Sequence, residues 1–129
     1  MGKSIVTTIA IKKMLEARAG IASLPRIVGM AFGNGAVQGG SIEPPDADTP
    51  FLKNEIYRQE NDRYEVISDT CIRYICTLAK ETLSGSRINE MALYDAEGDL
   101  VAIKSFMDKG KDEDIEISFE INDTFYKEG

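Results

Sequence analysis

The chain of 129 residues has no histidine and no tryptophan, and it has only two cysteines and four prolines. Because histidine is absent, the Ser–His and Cys–His pairs of nucleophilic catalysis are excluded, and the commonest nitrogen ligand of zinc is missing. No run approaches the roughly 20 apolar residues of a membrane span, and the first residues lack the pattern of a secretion signal. These absences predict a chain that is made and folds in cytoplasm, without a structural transition metal.

The two cysteines, Cys71 and Cys76, lie in one stretch that has the composition of a β-strand. Five residues of extended chain separate them by about 16 Å, and the odd spacing places them on opposite faces of the strand. They are therefore not expected to form a disulfide with each other, and the spacing does not match the Cys-x-x-Cys turn of zinc or redox sites. We expect two reduced, largely buried thiols.

Size and charge narrow the class of protein further. A chain with 43% hydrophobic residues and this length matches one ordinary domain, residues 1–129, that folds without metal or disulfide. Its net charge of −7 repels nucleic acid and anionic lipid. The first 26 residues hold five basic residues and one acidic residue, a net +4, so the remainder carries −11. A basic end and an acidic end are able to dock head to tail, although solvated faces of a helix and a sheet explain the same pattern.

The N-terminal region, residues 4–20, is predicted to form the principal helix. Ser4 is a candidate N-cap, Gly20 is a stop signal, and apolar residues recur at helical spacing between them. The β-branched residues within 5–11 leave a strand at the start of this region as an alternative.

A short apolar strand, residues 26–32, is predicted to run into a long loop, residues 34–50. Three glycines and three prolines disfavour regular structure in that loop. Loops of this length in a small domain tend to be functional or disordered, so the loop is the first place to look for a partner surface. Residues 49–58 leave two alternatives open, a short helix or an irregular link.

Alternating apolar and polar residues predict that residues 63–122 are β-rich. The alternation extends over residues 72–78 and is clearest over residues 115–121, which predicts two strands and places Phe119 in the core. One principal helix and five or six antiparallel strands predict an α+β fold class, with the sheet forming a β-sandwich or an incomplete barrel.

Between those two strands, apolar runs flank an acidic turn around Gly98, which predicts a β-hairpin over residues 88–106 and then a polar loop over residues 108–114. Asp95, Glu97 and Asp99 offer oxygen ligands at alternate positions, as calcium sites do. Only these three carboxylates are local, so an acidic turn is the favoured interpretation. Glycoside hydrolysis would need a pair of carboxylates, for which the candidates are Glu55, Glu90 and Asp95.

Three blocks of sequence resemble the phage tail-collar fibre family. They are IVGMAFGNG at residues 27–35, LKNEIYR at residues 52–58 and INEMALYDAEGDLVAIKSF at residues 88–106, in the order that the family has. The resemblance extends over most of residues 10–122. The positions that match the family motif, and that we expect to be structural, are Met30, Gly33, Gly35, Asn54, Glu55, Tyr57, Arg58, Glu90, Leu93, Tyr94, Asp95 and Gly98.

The resemblance implies a structural component of a phage or prophage tail, a fibre-attachment, baseplate or collar part, that acts through protein–protein assembly and not as an enzyme. It implies a homo-oligomer, a trimer, that also binds other tail or baseplate proteins. Such a protein assembles in the bacterial cytoplasm and ends in the virion tail or a tail-like particle. We expect no catalytic residue, cofactor or metal, and neither nucleic acid nor membrane as partner. The alternative is a free-standing carbohydrate-binding or glycoside-hydrolysing domain, in which the five tyrosines would stack on sugar.

Overall fold

The computed structural model describes residues 4–112 and 114–125, which form one α-helix and three antiparallel sheets. The helix, α1, spans Thr8–Arg18. The strands, in chain order, are β1 Ser4–Val6, β2 Ile27–Gly33, β3 Val37–Gln38, β4 Ser41–Ile42, β5 Glu55–Glu60, β6 Arg63–Ser68, β7 Cys71–Leu78, β8 Arg87–Asp95, β9 Leu100–Gly110 and β10 Ile117–Thr124.

The larger sheet has five strands in the order β1-β9-β8-β2-β5, and a second sheet has three strands in the order β10-β7-β6. Strands β3 and β4 form a separate two-stranded hairpin. Because every pairing is antiparallel and the one helix is N-terminal, the predicted α+β class is confirmed. The sheets of the described residues do not close into a barrel.

Side chains from both larger sheets form one apolar core. Phe32 of β2 and Phe119 of β10 lie with ring centroids 4.9 Å apart, and Phe106 of β9 lies 6.4 Å from Phe119. Phe119 is only 4% exposed, which confirms its predicted place in the core. The other buried members of this core are Met30, Cys76, Leu78, Ile88, Met91, Leu93, Ala102 and Ile121.

The hairpin at the centre of the larger sheet forms where the sequence predicts it. Strands β8 and β9 pair across the turn that contains Gly98, whose φ of +87° is a backbone conformation that glycine adopts without steric cost. Strand β8 is buried along nearly its whole length, because β2 and β9 flank it and apolar clusters cover both faces of the sheet. Strand β7 pairs with β10, so the two segments with period-two alternation lie in one antiparallel sheet, although β10 begins at Ile117 and not at residue 115 as predicted.

The predicted helix over residues 4–20 is too long, and Ser4 is not its N-cap. Residues 4–6 instead pair with β9, so the alternative of a strand at the start of this region is correct, because β-branched Ile5 and Val6 fit an extended strand better than a helix. Thr7 caps the helix: its Oγ1 accepts a hydrogen bond from the Ala10 amide at 3.2 Å. In the described part of the chain, no helix has the length and apolar character needed to cross a membrane.

Three other boundaries differ from the prediction. The loop over residues 34–50 contains the β3–β4 hairpin, which turns at Gly39 and Gly40 with positive φ angles. Residues 49–58 are neither a helix nor wholly irregular, since β5 begins at Glu55. The polar loop over residues 108–114 is shorter than expected, because β9 continues to Gly110 and pairs there with β8.

The strand count is also higher than predicted. Ten strands are present in the described residues, against five or six expected, and strands begin well before residue 63. The additional strands include β1, β3 and β4, which have only two or three residues each and are too short to show a period-two pattern.

The two cysteines both lie in β7 and are free thiols, as their spacing predicts. Cys76 is fully buried, whereas Cys71 is partly exposed. Burial, with a smaller contribution from the charge of Asp62, raises the pKa of the Cys76 thiol to about 12, while a hydrogen bond from Gln59 opposes the shift. Cys76 therefore stays a neutral thiol at physiological pH and serves as a core residue.

Removing the Phe119 ring tests the shared core of the two sheets. We expect Phe119→Ala to lower the free energy of unfolding by about 3–5 kcal/mol, because it leaves a cavity between Phe32 and Phe106. Phe51→Ala is the matched control, since Phe51 is 71% exposed and its truncation leaves no internal cavity. Chemical denaturation measures both variants, and a Phe119 variant as stable as the parent would contradict this core.

Candidate functional site

The first cluster of motif residues is built around the buried carboxylate of Glu90. Glu90 lies in β8 with 1% of its surface exposed. Its Oε2 accepts hydrogen bonds from the backbone amides of Gly35 and Asn54, both at 2.9 Å, and its Oε1 accepts one from the amide of Lys53 at 2.8 Å. Backbone N–H groups thus take the place of water around the charge. We call this arrangement the Glu90 clamp.

Two glycines of the motif make room for the Glu90 clamp. A Cβ added to Gly33 would lie 2.6 Å from the Oε2 of Glu90 and 2.5 Å from the carbonyl oxygen of Asn54, which is closer than real contacts allow. A Cβ added to Gly35 would lie 2.9 Å from the amide nitrogen of Asn54. Asn54 also donates its side-chain amide to Asn34 at 2.6 Å. The motif therefore brings Gly33, Gly35, Asn54 and Glu90 together in space.

A second cluster is formed by Arg58, which joins β5 to the β8–β9 turn. Its Nε donates to Glu55 at 2.7 Å, and its NH1 donates to the carbonyl oxygen of Gly98 at 2.8 Å. The guanidinium also lies over the Tyr94 ring, 4.9 Å from the centroid. The hydrogen bond to Glu55 raises the pKa of Arg58, against the opposing effect of partial burial. Four motif positions, Glu55, Arg58, Tyr94 and Gly98, therefore form one cluster, which we call the Arg58 brace.

The third cluster contains Asp95, whose partner is a helix residue outside the family motif. The Nζ of Lys13 lies 2.6 Å from Asp95, 2.8 Å from Glu97 and 2.7 Å from Asp99. Asp95 is buried, and its Oδ1 also accepts the backbone amides of Glu97 and Asp99. We call this contact the Lys13 tether, because it fastens α1 to the β8–β9 turn.

The Lys13 tether bears on both interpretations of the acidic turn. The three carboxylates each have an oxygen within 4.8 Å of the others, a spacing that would suit a metal ion. The ammonium group of Lys13 contacts all three carboxylates and supplies the positive charge that a cation would bring. The arrangement is therefore an acidic turn closed by an internal cation.

The titration of Lys13 reflects these contacts. Burial by itself lowers the pKa of Lys13, but hydrogen bonds to Asp95, Asp99 and Glu97 outweigh that effect and leave the pKa above its ordinary value of 10.5. The stabilisation from the tether is therefore fully present below pH 10.5 and is lost as the pH rises through the raised pKa.

The remaining motif positions lie in or beside the core. Met30 of β2 and Leu93 of β8 are cross-strand partners, and both are fully buried. Tyr57 of β5 packs against the same core, and its hydroxyl is within 3.0 Å of the Oε1 of Gln59. The candidate hydrolytic carboxylates do not share one contact: Glu55 binds Arg58, Glu90 binds backbone amides and Asp95 binds Lys13.

Sequence reasoning missed two residues that hold these clusters. Lys13 was counted only as surface charge, although it lies three residues after buried Ala10 and so on the same helix face. Asn89 is 2% exposed, accepts the amide of Ala36 at 2.9 Å and donates to Asp108 at 2.9 Å. If the side chains of β8 alternated strictly between the two faces of the sheet, only one of the neighbours Asn89 and Glu90 would be expected to be buried. An irregularity in the pairing of β8 with β9 between Ile88 and Glu90 accompanies the burial of both.

These observations define a structural class of domain: an antiparallel α+β module whose motif residues fasten its own loops, turns and core. The chain belongs to the phage tail-collar fibre family, since the model for the N-terminal part of phage tail-collar fibre proteins matches residues 1–120. No curated protein and no solved structure matches the chain. The family supports a structural role in a phage tail, a location in the virion tail and assembly with other tail proteins.

Glu90→Gln tests the clamp with little change of shape. Whichever way the new amide turns, its NH2 group faces at least one backbone N–H that loses its acceptor, so we expect the free energy of unfolding to fall by about 1–3 kcal/mol. Glu81→Gln, at an exposed position, is the control and should leave stability within about 0.5 kcal/mol of the parent. Equal stability of the two variants would refute the clamp.

Lys13→Met tests the tether. Removing the ammonium leaves three carboxylates facing one another, so we expect a loss of about 1.5–3 kcal/mol and a melting temperature that now rises when millimolar Ca²⁺ is added. Lys12→Met is the control, because Lys12 is 71% exposed and pairs with Glu16 at 3.7 Å. Thermal melts with and without Ca²⁺ measure both effects, and a Lys13 variant that behaves as the Lys12 variant does would contradict the tether.

Proposed function

We propose that residues 1–129 form one domain that acts as a fibre-attachment, baseplate or collar part of a phage or prophage tail, through protein–protein contacts. The observation that carries this proposal is that the charged side chains of the family motif contact other groups within the domain. The ionised groups of the motif bind backbone amides, one another or Lys13, and so hold the fold together. Because these groups already have partners within the domain, they are poorly placed to bind a substrate. A function exerted by the outer surface, through contact with other proteins, is therefore favoured.

We propose further that the domain associates with copies of itself as a trimer and with another tail protein, and that assembly takes place in the bacterial cytoplasm. The family supports assembly with tail proteins. Large apolar side chains remain exposed on several elements, and where such side chains form one contiguous patch they mark a surface that binds another protein. They are Ile11, Leu15, Ile21, Leu24, Phe51, Tyr64, Val66, Ile67, Met107, Ile115 and Phe125.

The domain is proposed to work without catalysis, cofactor or metal, and without nucleic acid or membrane as a partner. The carbohydrate-binding or hydrolytic alternative has less support. A cleft of about 600 Å³ between β1 and β10 is lined by residues such as Lys104, Glu120 and Asn122, and its described lining contains no aromatic side chain to stack on a sugar. The three candidate carboxylates are each held in a different internal contact.

Light scattering at several protein concentrations tests self-association. We expect a mass that approaches that of a trimer as concentration rises, and a weaker association at higher salt, since charges at the rim of an interface are screened beyond about 8–10 Å near physiological ionic strength. Co-expression with the neighbouring tail genes tests the second partner, which should co-purify with this chain. A strict monomer at all concentrations that also captures no tail protein would contradict the proposal.

A further inference from the structure

One asparagine of the chain is followed directly by glycine, at Asn34–Gly35. Glycine has no side chain to crowd its own backbone nitrogen, so this nitrogen can reach the side-chain carbonyl carbon of the asparagine before it. The other four asparagines precede glutamate or aspartate, whose side chains hinder that approach. Asn34 is also exposed, so water and hydroxide have access to it. Of the asparagines in this chain, Asn34 is therefore chemically the most prone to lose its side-chain amide.

The loss of this amide needs no reagent besides water and hydroxide. Hydroxide removes the proton of the Gly35 amide, and the nitrogen then attacks the Cγ of Asn34 to form a succinimide ring. The side-chain nitrogen takes up a proton from water and leaves as ammonia. Water next opens the ring, either at Cγ to give aspartate or at the main-chain carbonyl to give isoaspartate, in which the main chain runs through the former side chain. The net change is the exchange of an NH2 group for a hydroxyl group, with no transfer of electrons.

In the folded domain both reacting groups of this site are held by other partners. The Gly35 amide donates its hydrogen to the Oε2 of Glu90 at 2.9 Å, so the proton that must leave is bound to a carboxylate. Its removal would place a negative nitrogen beside a buried negative carboxylate, and a like charge nearby disfavours ionisation. The side chain of Asn34 is held as well, since its Oδ1 accepts a hydrogen bond from the Nδ2 of Asn54 at 2.6 Å.

The main chain of Asn34 is fixed on both sides of its side chain. Its amide donates to the carbonyl oxygen of Asn54 at 3.1 Å, and its carbonyl oxygen accepts a hydrogen bond from the Nδ2 of Asn89 at 3.2 Å. Ring closure requires the Cγ of Asn34 to turn towards the Gly35 nitrogen and come into contact with it, which these hydrogen bonds oppose. The reaction therefore starts from a locally open state in which the Glu90 clamp is broken.

We propose that Asn34 is a site of spontaneous deamidation and that the Glu90 clamp keeps it unreacted in the folded domain. The carboxylate that fastens the loop after β2 thus also protects the adjacent labile side chain. Isoaspartate adds one carbon atom to the main chain directly before Gly35, which shifts the Gly35 amide relative to Glu90. A clamp that opens and reacts in this way does not re-form. This inference goes beyond the role in the tail proposed above and does not depend on it.

Peptide mapping by mass spectrometry, after incubation at mildly alkaline pH, measures the fraction of Asn34 that is converted. We expect the folded parent to react much more slowly than the same chain in denaturant. Glu90→Gln should react about tenfold faster than the folded parent or more, because the clamp opens more often and the charge beside the Gly35 amide is gone. Glu81→Gln, at an exposed position, is the matched control and should react as the parent does.

A core variant separates opening of the clamp from global unfolding. Phe119→Ala is expected to lose more free energy of unfolding than Glu90→Gln, yet it leaves the clamp intact. Conversion through global unfolding alone would make Phe119→Ala the faster of the two, whereas the inference requires Glu90→Gln to be faster. The inference would also be overturned if Asn34 stayed unconverted in the denatured chain, or if Glu90→Gln reacted as slowly as the folded parent. Circular dichroism confirms that the variants are folded at the start of the incubation.

Discussion

The buried carboxylate of Glu90 is the constraint on which much of the remaining structure depends. A charge removed from water must be compensated, and here the compensation comes from three backbone amides on two segments that are distant in sequence. The loop after β2 and the segment before β5 are therefore held to the centre of β8. That requirement explains the glycines at positions 33 and 35, because any larger residue would collide with the carboxylate or with the segment it binds.

The other two polar clusters extend the same principle to the edges of the sheet. The Arg58 brace joins the edge strand β5 to the β8–β9 turn, and the Lys13 tether joins the helix to the same turn. The turn is thus held by groups from both the beginning and the middle of the chain. The charged residues of the motif thus contact other parts of the same domain, and these contacts hold the turn in place.

The contrast between the rigid centre and the uncovered periphery has a functional consequence. The larger sheet is buried on both faces near β8, but the core face of the smaller sheet continues to an edge strand with exposed Tyr64 and Val66. An exposed edge of this kind favours uncontrolled pairing unless something covers it.

The sequence by itself determined the features that depend on local periodicity and turn chemistry. The β8–β9 hairpin, the strand character of most of β7 and β10, the burial of Phe119 and the two unpaired cysteines all follow from alternation over six or more residues or from a glycine turn. Strands of two or three residues were not predicted, because so short a segment cannot show an alternation of apolar and polar residues. The start of the helix was placed wrongly because Ser4 and Thr7 both suit an N-cap, and only pairing of Ile5 with β9 selects Thr7.

Only the tertiary structure decided the roles of the charged residues. The motif blocks pointed to Glu90, Arg58 and Asp95, but residue types alone do not show what these side chains contact. In the structure Glu90 binds backbone amides, Arg58 binds the β8–β9 turn, and Asp95 binds a lysine 82 residues away in the sequence. The sequence does not distinguish Lys13 from Lys12. Only the position of α1 against the sheet shows that Lys13 contacts the acidic turn while Lys12 stays exposed. Long-range electrostatic partners are fixed by distances in space, and a single sequence carries no record of those distances.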